Sequence, residues 1–143
     1  MGAGTVGVCV LTWFAWLSWF DIRERRLPNW LTVPGALAIL MWATATGRGA
    51  PALAGAVSLF AIYLAIHLVA PAALGAGDVK LAIGIGALTG AFGLDVWSLA
   101  AVTAPLVTAG MAVVVRIMSA ERTVPHGPSM CAAAAAATAL VLL

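Results

Sequence analysis

The sequence predicts an all-α polytopic membrane protein: a bundle of six transmembrane helices with its amino terminus outside. Three observations predict it. The 143 residues are 64% hydrophobic and 8% charged, with a mean hydropathy of +1.10, far from the composition of a soluble domain. Apolar runs approaching the ~20 residues that cross a ~30 Å hydrocarbon core recur along the chain, divided by glycine, proline and charge. The basic residues gather in alternate loops. The chain reads as one membrane-embedded domain, residues 1–143.

Met1–Phe20 is uncharged and lacks the basic start and small-residue cleavage site of a signal peptide, so it is taken as the first helix. Trp30–Thr46 is the second, ended by Gly47-Arg48-Gly49. Pro51–Ala70 is the third, stopped by Pro71 and the glycines before Asp78. Val79–Leu94 is a short fourth, broken by Gly93 and Asp95. Within it, Gly86 and Gly90 form a small-xxx-small pair that lets a neighbouring backbone approach. Val96–Val115 is the fifth helix. The sixth runs from Ser129 to Leu143, after the turn Val124-Pro125-His126-Gly127-Pro128. Trp13, Trp16, Trp19, Trp30, Trp42 and Trp97 fall mainly near predicted ends, as interfacial anchors do.

Orientation follows from the basic residues. With the amino terminus outside, the inner loops hold Arg23, Arg25, Arg26, Lys80, Arg116 and Arg122, and the outer loops hold Arg48. Asp21 and Asp78 then lie on the same, cytoplasmic side, while Asp95 falls on the other and is left out of the site. A net charge of +2 is too small to point to nucleic acid. Cys9 and Cys131 are too few and too far apart for a zinc module or a disulfide framework, and no metal or cofactor is expected.

Carboxylates are costly at a bilayer, by about 2.5–3.5 kcal/mol at its centre. Asp21 and Asp78, in a chain with five acidic residues, therefore suggest a shared task. Two carboxyls held close together cannot both ionise readily, so they share a proton. Such a pair can activate water with one member and polarise a scissile carbonyl with the other. Taken singly, each has a plainer explanation. Asp78 could be the N-cap of the fourth helix, and Asp21 part of a solvated basic loop. Gly75 and Gly77 offer unusual backbone angles and room for an extended peptide. Lys80 would favour ionisation of any carboxylate it reaches.

The motifs decide between these readings. Asp21-Ile22-Arg23-Glu24-Arg25-Arg26-Leu27-Pro28-Asn29 follows the first span, and Gly75-Ala76-Gly77-Asp78-Val79-Lys80-Leu81 opens the fourth. Together they resemble the type IV prepilin peptidase family, membrane aspartyl proteases of the Gly-x-Gly-Asp type. Pro125-His126-Gly127-Pro128 is similar to that family's third motif, although His126 stands where an aromatic residue is more usual. The resemblance implies that Asp21 and Asp78 are the catalytic pair. It implies prepilin or pseudopilin substrates, cut at the cytoplasmic face between a short basic leader and an apolar helix. The paired cysteines of the larger, methylating members are absent, so the chain resembles the short peptidase-only members, such as those serving tight-adherence (Flp) pili.

Glu24, Pro28, Asn29, Gly75, Gly77, Lys80 and Gly127 are then candidate substrate-binding or site-shaping residues. Asn29 is expected to cap the second helix. Arg23, Arg25 and Arg26 are read as setting topology, and His67 as a packed or snorkelling side chain. Two other functions compete. A small ion or proton transporter component would place its acids near mid-membrane, not at span ends on one face. A catalytically inactive assembly protein is separated only by an activity assay.

The orientation is testable. On a Cys9→Ala/Cys131→Ala background, Glu24→Cys and Glu121→Cys should be shielded from an impermeant thiol reagent in intact cells, and Arg48→Cys should be labelled. The reverse pattern would put both aspartates outside.

Overall fold

A computed structural model of the chain describes residues 3–118 and 124–142. Among them are six helices: α1 (Ala3–Glu24), α2 (Asn29–Ala45), α3 (Gly49–Val69), α4 (Ala76–Phe92), α5 (Leu94–Ile117) and α6 (Gly127–Leu142). The expected helix boundaries shift by a few residues, and two of the shifts matter. Helix α1 continues past Phe20, so Asp21 lies on its last turns and not in a loop. Helix α4 begins at Ala76, so Asp78 sits in its first turn and Gly75, not Asp78, holds the N-cap position. Arg122 and the chain-end residues Met1 and Leu143 lie outside the described residues.

Local chemistry sets the ends. Arg25 stops α1 in the left-handed region, at φ 53°, with its amide bonded back to the Asp21 carbonyl at 3.2 Å. Pro28 precedes α2 at φ −69° and ψ 137°, the extended backbone that leads into a helix. Gly93 joins α4 to α5 at φ 118°, a conformation that L side chains rarely adopt. The break that the sequence places at Gly93 is present, with α4 ending at Phe92.

The core is built around α4. It packs on α2, α3, α5 and α6, and its residues from Leu81 to Ala91 are almost all buried. Glycines make the α3–α4 contact possible. A Cβ on Gly55 or Gly86 would fall on the other's carbonyl oxygen, and one on Gly90 would sit 2.6 Å from the Pro51 oxygen. The expected small-residue packing is therefore a backbone-to-backbone contact. Trp97 closes it by donating its indole N–H to the Gly55 carbonyl at 3.1 Å.

Helix α1 rests on α6 and α2 and reaches α4 through Trp13, whose ring covers the spaces left by Gly35 and Gly84. The Trp13 indole donates to the Leu31 carbonyl at 2.9 Å. Trp13 and Trp97 are thus internal ties and not interfacial anchors, whereas Trp16, Trp19 and Trp30 are exposed. The outer faces of α1, α2, α3 and α5 are rich in exposed Leu, Val, Ile and Met. Helices Gly4–Glu24, Gly49–Val69 and Leu94–Ile117 are long and apolar enough to cross a membrane; α2 and α6 are shorter apolar helices. Cys9 is exposed, Cys131 is buried, and both are free thiols.

Gly86→Ala should destabilise the bundle by about 1–3 kcal/mol, because backbone has to move. Its thermal midpoint in detergent should fall. Gly110→Ala, with nothing within 4 Å of the added methyl, should match or exceed the wild type.

Candidate active site

The end of α1 and the start of α4 meet at one end of the bundle, and this juxtaposition makes the site. Asp21 and Asp78 are 57 positions apart in sequence yet line the same cavity, of about 630 Å³. Its wall also carries Glu24, Arg25 and Arg26, then Leu27, Pro28 and Asn29, and on the α4 side Gly75, Ala76, Gly77 and Lys80. Three acids therefore face three bases around one opening. Asp95 is in the first turn of α5, at the far end of α4. Seventeen helical residues separate the ends of α4, about 25 Å at 1.5 Å per residue.

Asp21 is buried, at 9% exposure, and its Oδ2 accepts the Gly127 amide N–H at 2.9 Å. That amide is one of the unpaired donors at the start of α6, so the carboxylate caps the helix. Gly127 has to be glycine for this contact, because a Cβ there would sit 2.6 Å from the same oxygen. Asp78 is half-buried at the mouth of the bundle, ahead of the apolar run of α4. Burial, and after it the charge of Asp21, push its carboxyl up to about 6, with a backbone hydrogen bond from Gly75 pulling the other way.

The remaining candidates find definite places. Gly75 has φ −73° and ψ 154°, ordinary extended backbone, and Gly77 is helical, so neither glycine supplies the unusual angles expected of them. What Gly77 provides is room: a Cβ there would come within 3.2 Å of the Leu27 Cβ. Leu27 thereby ties the first motif to the second. Asn29 does not cap α2 with its side chain; its Oδ1 instead accepts the Lys80 ammonium at 2.8 Å. Lys80 is thus directed to an amide rather than to a carboxylate, and it bridges the two motifs a second time.

Arg23 lies over the Trp19 ring, 4.5 Å from its centroid, while Arg25 and Arg26 are on the cavity wall. His67 bonds through Nδ1 to the Leu74 carbonyl at 2.7 Å and braces the turn between α3 and α4. Tyr63 and Thr108 escaped the sequence reading. Both contact the ring of His126, and each is one of several polar residues in an apolar helix, which gives no signal of its own.

An all-α bundle with long apolar helices and a cavity lined by charged residues at one end suits a membrane protein with a polar site at its edge. Residues 8–114 match the model of the type IV leader peptidase family, and the chain belongs to that family: it is a membrane peptidase. Asp21 and Asp78 both fall inside the matched segment, and Gly127 falls beyond it. No individual curated protein and no solved structure matches the chain.

The environment of Asp78 makes a prediction with a definite sign. Its folded-state midpoint of about 6 exceeds the ordinary value of about 3.9. The fold therefore favours the neutral form, and stability drops as pH rises between those two values. Asp78→Asn should raise the thermal midpoint at pH 7 and leave it unchanged at pH 4. Asp21→Asn should lower the Asp78 midpoint, read by carboxyl carbon NMR.

Proposed function

We propose that this chain is an aspartic endopeptidase of six transmembrane helices that removes the short basic leader from type IV prepilin-like precursors. Flp pilins and type II secretion pseudopilins are such substrates. The amino terminus is outside and the cavity faces the cytoplasm. The observation that carries the reading is the meeting of Asp21 and Asp78 on one cavity wall, from motifs 57 positions apart.

The chemistry follows from two carboxyls that share a proton. The ionised member takes a proton from water as the water oxygen attacks the scissile carbonyl carbon. The protonated member gives its proton to the carbonyl oxygen. The resulting diol collapses as the amide nitrogen gains a proton and leaves, and the pair returns to its starting state. The substrate's apolar helix lies in the bilayer, so the leader enters the cavity from the cytoplasmic side. Glu24, on the cavity wall, suits contact with a basic leader; Gly75 leaves the approach to Asp78 uncrowded. Lys80 and Asn29 hold the two motif segments together. No methyl transfer is expected, because the chain carries no paired-cysteine segment.

Asp21→Asn and Asp78→Asn should each reduce leader cleavage by at least about a thousandfold while the protein stays folded, and the double variant should be little worse than either. Cleavage of a full-length precursor in proteoliposomes measures this, with Asp95→Asn as the active control. Near wild-type turnover by either single variant would remove that residue from the pair.

A further inference from the structure

The turn before α6 holds a network that the reaction above does not use. His126 bonds through Nε2 to the Tyr63 hydroxyl on α3 at 2.9 Å, and through Nδ1 to the Thr108 hydroxyl on α5 at 2.6 Å. Thr108 also donates to the Ala104 carbonyl, at 3.1 Å. A hydroxyl has one proton, so Thr108 accepts from His126 Nδ1–H, and Nε2 is left to accept from Tyr63. Every proton in the chain Tyr63–His126–Thr108–Ala104 then has an acceptor, with the ring neutral. Burial acts in the same direction, pulling the His126 pKa below its usual value.

The ring so held belongs to the residue directly before Gly127. The His126 carbonyl accepts the Met130 amide at 3.0 Å, in the first turn of α6. The other side of the same peptide is the Gly127 N–H on Asp21. Both faces of the peptide are therefore occupied, and its side chain is fastened to two further helices. We propose that His126 is the positioning residue of the aspartate pair. Pinned between α3 and α5, it fixes the His126–Gly127 peptide so that its N–H supports negative charge on Asp21, leaving Asp78 as the member that keeps the proton. This rests on Asp21 and Asp78 being the catalytic pair. Other groups also bear on Asp21: Asp78 across the cavity, Arg25 at the end of α1, Glu24, Arg26 and Lys80 on the wall, and the Cys131 thiol of α6. None of them is altered in the His126, Tyr63 and Thr108 variants below, so a change in Asp21 there is traceable to the network.

The test uses the full chain in detergent micelles with carboxyl-labelled aspartate. The sequence has three aspartates, Asp21, Asp78 and Asp95, and Asp→Asn variants assign their signals. In the wild type, Asp21 should titrate below Asp78. His126→Ala should raise the Asp21 midpoint by about one pH unit, the size of a lost charge-assisted hydrogen bond. Tyr63→Phe and Thr108→Val keep the ring in place and remove one tether each; both should move Asp21 upward by a smaller step, with Asp95 unmoved. In leader cleavage, the acidic limb of kcat/KM should move up in parallel while KM holds. A merely structural role would lower the thermal midpoint without shifting Asp21. If Asp21 stays fixed in Tyr63→Phe and Thr108→Val, or titrates above Asp78 in the wild type, the proposal is overturned, even where His126→Ala fails to fold. A wild type that cleaves no leader would sink the proposed function, and the titration would still decide the role of His126.

Discussion

Everything in this bundle depends on how closely α3 and α4 can approach. Lipid is as apolar as a leucine face, so helices in a membrane gain little by hiding leucine from it. Cohesion must come from contact area, and Gly55, Gly86 and Gly90 provide it by letting backbone meet backbone. The consequence is central placement for α4, packed on four other helices while the remaining apolar faces stay outside. A helix in that position can carry a carboxylate at its end into partial burial without exposing it to lipid. Asp78 is that carboxylate.

Helix α1 is held differently. It lacks an extended glycine contact with α4, and besides the buried side chains Phe14 and Leu17 it has two point attachments: the Trp13 ring over Gly35 and Gly84, and the Asp21 carboxylate on the Gly127 amide. The second attachment uses a catalytic candidate as a structural tie. Capping satisfies a donor that would otherwise be orphaned at the start of α6, and it also fixes where the carboxylate points. One hydrogen bond thus both ties α1 to α6 and orients the Asp21 carboxylate. Asp78 shows the opposite balance, because its surroundings resist the charge that catalysis sometimes needs.

The cavity lies where chain segments of quite different character meet. The basic loop after α1 and the glycine-rich start of α4 are joined by Leu27 packing over Gly77 and by Lys80 reaching Asn29. These two ties give residues of ordinary type a definite task beside the aspartates. Gly77 leaves space for Leu27, and Asn29 supplies an acceptor for an ammonium. Lys80, read from sequence as favouring ionisation of any carboxylate it reaches, is directed to the Asn29 amide instead.

Composition and spacing by themselves determined much of this protein. Apolar runs separated by glycine, proline and charge made it an all-α chain, because the bilayer demands that backbone groups be satisfied within each segment. The two aspartates stood out because charge is scarce and expensive in such a chain. Gly86 and Gly90 announced close packing by their spacing alone. Other features arise only when distant segments meet. Whether Asp21 belongs to a helix or a loop turned on Arg25 adopting a left-handed conformation, which residue type does not reveal. That Trp13 and Trp97 turn inward depends on the glycines and carbonyls they find there. Above all, the tie between residue 21 and residue 127, and the setting of His126 between Tyr63 and Thr108, join four helices across more than a hundred positions. A polar group in an apolar helix looks the same in sequence whether or not it has a partner, and only the tertiary structure supplies the partner.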